Sequence, residues 1–220
     1  MAKRAMTAEA KAIKAHAILD KAAEMFVNSE YEQIKMSDIS KEMNMSKGIL
    51  FVYFKTKEAL FFSLLCREYE KRLDRLTEMA KELQIRSFTE FKILVLTELK
   101  ELVDTNPLYI RLESMRTAIF EKNVDAETML KQKLNLYKRM SELVTHICSN
   151  NVLTQYEVMD ILQAEASIIT GCKLSATLPG EVIDIIEKNK LEGLKRDFKR
   201  DVLDTMTCYM DGYRMNHQQN

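Results

Sequence analysis

The stretch from Met36 to Phe54 puts particular residue types where duplex DNA recognition needs them. A helix-turn-helix needs a small residue where its second helix crosses the first, and Ser40 is small, with apolar Ile39 and Met43 beside it. The bend needs a residue that tolerates left-handed backbone, and Asn44 is the usual substitute for glycine. Met45 follows as an apolar residue to tuck under, Ser46 is placed to cap the next helix, and Leu50 and Phe54 supply inward side chains four apart. Lys47, Gly48, Ile49, Phe51, Val52 and Tyr53 are left facing outward. An ordinary solvated face is more polar than this one. In a major groove the same residues have work to do: Lys47 reaches guanine or phosphate, Gly48 lets the backbone come close, and Ile49 or Val52 touches thymine methyls. Tyr53 has a second reading as a half-buried core aromatic.

The next element opens Lys55-Thr56-Lys57-Glu58. Thr56 is a natural N-cap, and a helix N-terminus attracts phosphate through its free N–H groups and its dipole. Lys57 in that first turn is mildly unfavourable for the helix alone, and a bound phosphate would offset the cost. Residues 1–57 hold ten Lys/Arg and seven Asp/Glu, a net +3 in a chain whose formal charge is zero, so the remainder is −3. A basic end on a neutral protein is consistent with electrostatic steering toward DNA.

Helices must position these groups. Gly (5) and Pro (2) are scarce in 220 residues, against an average usage of roughly 12%, which favours long helices over sheets rich in turns. Helical spacing predicts elements over about 7–27, 36–43, 47–54, 57–83, 87–104, 125–149, 155–173 and 197–213, with Pro107 opening a further one at its first turn. In the segment 57–83 the apolar stripe is Phe62, Leu65, Tyr69, Leu73, Leu76, Ala80 and Leu83, and the charged run from Glu68 to Arg75 reads as its solvated face. The segment 87–104 is apolar nearly all round, as in a helix surrounded by others. Gly171, Pro179, Gly180 and Gly193 mark an irregular connection. The fold class is therefore all-α: a three-helix head followed by a larger helical body.

Enzyme chemistry finds no purchase in this pattern. There is no nucleophile motif, no Glu-x-x-His pair, and no glycine signature for a dinucleotide or nucleotide phosphate. Cys66, Cys148, Cys172 and Cys208 are far apart and, with three scattered histidines, give no zinc spacing; they read as reduced, mostly buried thiols. No metal or cofactor is expected. The chain starts without an apolar leader and has no run long enough to span a membrane, so a cytoplasmic location is expected.

The residues around this segment resemble the tetracycline-repressor (TetR) family of bacterial transcription regulators. The likeness covers roughly residues 14–65 and rests on Ile18, Ala22-Ala23 and Phe26, then Tyr31, Asp38-Ile39-Ser40, Ser46-Lys47-Gly48-Ile49-Leu50, and most specifically Tyr53-Phe54-Lys55-Thr56-Lys57-Glu58-Ala59-Leu60. It implies a DNA-binding head over 1–56 and a ligand-binding and dimerisation body over 57–220. It also implies a ligand-responsive homodimeric repressor on a palindromic double-stranded operator, with a small, largely apolar effector. Carried over by position, Ser37, Lys47, Gly48, Ile49 and Phe51 face bases, while Val52, Tyr53 and Lys57 sit near phosphates. The chain departs from the family pattern at Glu30, Lys35, Ile49 and Phe51. The cap and phosphate contact usual before the second helix then pass to Ser37 or to Lys35 itself.

In the body, Tyr109, Arg111, Met115, Arg116, Tyr137 and Met140 can line a cavity or simply pack. Glu165 lies on an apolar stripe with Ile161, Ile168 and Ile169, and reads as a salt-bridged interface residue, a ligand anchor or an exposed edge. The fourteen methionines fill core or line an adaptable pocket. By resemblance, the helices over 155–173 and 197–213 pair with their symmetry mates. Two other classes stay open: a helical-bundle enzyme or carrier, and a protein-binding adaptor.

Overall fold

A computed structural model describes residues 7–217 of the chain. Its elements are α1 (Ala8–Asn28), α2 (Met36–Glu42), α3 (Lys47–Tyr53), α4 (Lys57–Leu83), α5 (Phe88–Thr105), α6 (Pro107–Met115), α7 (Glu121–Asn123), α8 (Ala126–Ile147), α9 (Gln155–Ala176), α10 (Gly180–Lys188) and α11 (Phe198–His217). Among the described residues there is no strand. They divide into two compact units. The first runs to Glu68 and also takes Arg116–Lys133; the second holds Tyr69–Met115 and the chain from Leu134 onward.

In the first unit, hydroxyl caps set the helix starts. Thr7 accepts from the Ala10 amide at 3.2 Å, Ser46 from Ile49 at 3.3 Å and Thr56 from Ala59 at 3.0 Å. Asn44 holds φ 51°, the left-handed bend expected of it. Ser40 is buried and donates its hydroxyl to the Ser37 carbonyl at 2.8 Å, so the small crossing residue also satisfies its own polar group. Ile18, Ala22, Phe26, Ile39, Leu50 and Leu60 form a fully sealed core.

An aromatic cluster extends that core. Phe61 lies edge-on to Phe26 and Tyr31, with ring centroids at 5.3 and 5.1 Å, and stacks on Phe120 at 6.3 Å. Phe120 ends a π-helical turn, Arg116–Phe120, that follows α6 directly. Sequence periodicity carried no sign of that wider turn.

In the second unit, α6 packs on α9 and α5, and α11 packs on α9 and α5. Thr154 opens α9 with a reciprocal capping box to Glu157. The chain between Gly171 and Gly193 departs from the irregular connection the glycines suggest. Helix α9 runs on through Gly171, and α10 begins at Gly180 immediately after Pro179. A glycine at a helix start costs little, so it does not break the segment behind it. Helix α5 is also less enclosed than its composition suggests, because Ile93 is half exposed.

Candidate functional site

Helix α3 presents two unlike faces. Leu50 and Phe54 are buried, while Lys47, Gly48, Ile49, Phe51 and Val52 are exposed, Val52 at 69%. The Lys47 ammonium lies 5.6 Å from the Phe51 ring centroid, still on the open side. A methyl group built on Gly48 meets nothing closer than the Ser46 hydroxyl at 4.0 Å, and the backbone there has no positive φ. The protein's own packing therefore does not call for glycine at this position. Tyr53 is half-buried.

The neighbouring polar groups are placed differently. Ser37 is half-buried and donates to the Asp38 carboxylate at 3.3 Å, and neither it nor Lys35 caps α2. Lys57 turns inward: its ammonium donates to the carbonyls of Tyr31 and Ile34 at 2.6 and 3.0 Å and sits 3.8 Å from the Tyr31 ring centroid. Burial lowers its pKa from the ordinary lysine value, with Glu58 and Glu32 pulling the other way. The Tyr31 hydroxyl in turn donates to Glu58 at 3.1 Å. This lysine secures the short turn before α2 as well as lending charge to the start of α4.

The second unit holds a buried ionic cluster. The Arg72 guanidinium grips Glu98 through Nε (3.0 and 3.1 Å) and Nη2 (2.6 Å), reaches Glu165 through Nη2 (2.6 Å), and donates to the Tyr109 hydroxyl through Nη1 (3.1 Å). Tyr69 donates to Glu113 beside it, and the Tyr69 and Tyr109 rings meet edge to face at 5.4 Å. Glu98, Glu113 and Glu165 are all buried. Arg72, Tyr109, Met140, Leu162 and Glu165 border a cavity of about 40 Å³.

The chain matches the family model described as "Tetracyclin repressor-like, C-terminal domain" over residues 67–217, and "Bacterial regulatory proteins, tetR family" over residues 18–64. It belongs to the TetR family. The Uncharacterized HTH-type transcriptional regulator YuxN of Bacillus subtilis is 36% identical over 59 residues, 27% of this chain and 20% of that protein. The Fatty acid metabolism regulator protein of the same organism is 32% identical over 65 residues, 30% of this chain and 34% of the relative. The chain therefore spans only about a fifth to a third of the lengths of these relatives. Among solved structures, the fatty acid degradation regulator FadR from Bacillus halodurans has a TM-score of 0.54 at 18% identity, covering 90% of this chain and 95% of that one, a likeness of fold.

TetR-family proteins are transcriptional regulators, and in this TetR protein the body residues singled out by sequence fall into two groups. Tyr109, Met140 and Glu165 come together at the cavity. Tyr137 is instead exposed in an open groove with Lys81, Ser141 and His146. Arg111 and Met115 do not border the cavity, and Arg116 belongs to the first unit, where it pairs with Glu121 at 3.3 Å. The charged run Glu68–Arg75 is not a uniformly solvated face, since Glu68 is 4% exposed and the Arg72 side chain 8%. The signal for Arg72 was present: it stands three residues after Tyr69 and four before Leu76, on the apolar stripe itself.

Burial pushes the Glu165 carboxyl up to about 7 against the pull of Arg72, and Glu98 and Glu113 add to the rise. The folded protein thus retains a proton that the unfolded chain releases near 4.5. Unfolding free energy should fall as pH rises between those values, by up to about 1.4 kcal/mol per pH unit from this group. Urea denaturation across that window checks it, with Glu165→Gln as the reference that lacks the slope.

Proposed function

We propose that this protein is a sequence-specific, homodimeric DNA-binding repressor, with residues 1–56 as the reading head and 57–220 as the body that dimerises and binds effector. One observation carries the reading: the exposed face of α3, from Lys47 through Val52, offers one cation, one glycine and apolar groups, while its opposite face is sealed by Leu50 and Phe54. Solvent alone gives no reason for that composition, and a major groove does. Lys47 then meets guanine or phosphate, Gly48 lets the helix backbone approach, Ile49 and Val52 touch methyl groups, Phe51 faces bases, and Tyr53 lies near phosphate. Ser37 at the start of α2 and Lys57 at the start of α4 bracket the same groove, with Lys57 contributing its charge from an inward position.

Two heads related by a two-fold axis would read a palindrome whose half-sites lie about one helical turn, or a multiple of it, apart. Helices α9 and α11, packed on one another, would supply the pairing surface. A small, largely apolar effector in the body would bind the two head spacings unequally and so shift the population able to fit DNA. No helix of the described residues is long and apolar enough to cross a membrane, which agrees with a DNA-bound life.

Fluorescence anisotropy on a duplex from the protein's own promoter tests this reading. Lys47→Ala should flatten the slope of log affinity against log salt by about two for the dimer, since each head loses one phosphate-range cation. Gly48→Ala should raise the melting temperature slightly, because alanine is favoured over glycine in a helix by up to about 1 kcal/mol, and yet weaken operator binding. Opposite signs in the two measurements separate a DNA-facing glycine from a structural one. If neither variant changes operator affinity, α3 is not the reading helix.

A further inference from the structure

The body's ionic cluster has one conspicuous gap. Arg72 is shared between two buried carboxylates, Glu98 and Glu165. Glu98 takes both of its oxygens onto the guanidinium, whereas Glu165 places only Oε2 there. Glu165 Oε1 is fully buried without a hydrogen-bond partner among the described residues, and Glu165 borders the cavity of about 40 Å³. An ionised carboxylate oxygen left dry and unpaired is costly, and the Arg72–Glu98–Glu165 group carries one negative charge more than positive when both acids are ionised. Tyr69 and Tyr109 also border this space. Apart from Arg72, which Glu98 and Glu165 already engage, the remaining lining of Leu73, Leu76, Met140, Leu162 and Ala166 is apolar, and methionine repacks readily around what enters.

We propose that this cavity is the polar end of the effector site and accepts a protonated amine, its ammonium donating to Glu165 Oε1 and its hydrocarbon body lying against Met140 and Leu162. The inference rests on the reading of the body as effector-binding and adds the chemistry of the effector. A water needs about 10–15 Å³ of such space, so the cavity admits a head of two or three non-hydrogen atoms, and the rest of the ligand enters by displacing Met140.

Proton linkage follows. The charged or titratable groups around Glu165 are Arg72 and Tyr69 from α4, Glu98 from α5, and Tyr109 and Glu113 from α6; α8 contributes Met140 to the lining, and α9 adds only Leu162 and Ala166 beside Glu165 itself. With the Glu165 carboxyl lifted to about 7 by burial, amine binding must expel its proton at lower pH. Affinity should therefore rise about tenfold from pH 6 to pH 8, while an alkylammonium stays charged throughout.

The probe is n-propylammonium, compared with n-propanol and propionate of similar size, read from the Met140 resonance of protein labelled at the methionine methyls. The expected result is a saturable shift with propylammonium, at least tenfold weaker binding of the alcohol and the acid, and the stated pH dependence. Glu165→Gln should remove the preference for the cation. Ala166→Leu should fill the cavity and abolish binding while leaving the Arg72–Glu165 pair in place, and melting curves establish that both variants fold. No saturable shift, equal affinity for the three probes, or unchanged ammonium binding in Glu165→Gln would overturn the proposal. Operator anisotropy without amine keeps the two readings apart: intact DNA binding with no amine binding defeats only the amine site, and amine binding without operator binding defeats only the DNA reading.

Discussion

Replacing Arg72 with methionine is expected to lower the unfolding free energy by about 3–5 kcal/mol, the loss typical when one member of a buried ion pair is removed. The reason is what remains. Glu98 and Glu165 are 1% and 0% exposed and depend on the same guanidinium for their charge compensation. Methionine fills the volume but donates nothing, so the two acids must take up protons or hold uncompensated charge in a dry site. Burial alone would lower the Arg72 pKa, yet Glu165, Tyr109 and Glu98 hold it well above the ordinary arginine value, which expresses the same mutual dependence. Arg72→Lys should recover little, because one ammonium cannot serve Glu98 at two points while reaching Glu165 and the Tyr109 hydroxyl. Urea denaturation checks both, and the deficit of Arg72→Met should grow as pH rises toward 8, because without the pull of Arg72 the folded variant keeps on Glu165 a proton that the folded parent releases. Adding Glu165→Gln to Arg72→Met should restore part of the loss. If Arg72→Met is as stable as the parent at pH 8, the cluster is not held by this arginine.

How far the sequence reveals such features depends on the range of the interaction. The bend at Asn44, the Ser46 cap and the inward Leu50 and Phe54 are legible because each needs only neighbours within a few residues. Helix α4 matches its expected bounds for the same reason, with Thr56 capping one end and the apolar stripe running to the other. The Arg72 cluster is long-range: its acids arrive from α5 and α9, separated by 26 and 93 residues. A local reading sees a charged run on one helix, a glutamate among leucines on a second and a glutamate among isoleucines on a third. Only the matching of those three stripe-borne charges signals that they meet. Gly171 and Gly180 mislead in the other direction, because a glycine's effect on a helix depends on where in it the residue falls.

Phe120→Ala should cost the first unit about 3–5 kcal/mol, although no sequence criterion attaches residue 120 to a DNA-reading head. Phe120 is fully buried, and its ring meets Tyr31 at 5.6 Å and Phe61 at 6.3 Å. Removing it opens a space bordered by the rings that also fix the turn before α2, because Tyr31 anchors both the Lys57 ammonium and Glu58. A loosened Tyr31 releases the α2 entry and the α4 start together, and α3 hangs between them. Operator affinity should therefore fall in Phe120→Ala with the salt slope unchanged, since every phosphate-range cation is still present. That signature is opposite to the one expected of Lys47→Ala, where the slope changes and the melting temperature does not. Phe120→Leu, which keeps most of the apolar volume, should recover most of both losses. Should Phe120→Ala leave operator affinity untouched while lowering the melting temperature, the aromatic cluster supports stability alone and does not position the reading helix.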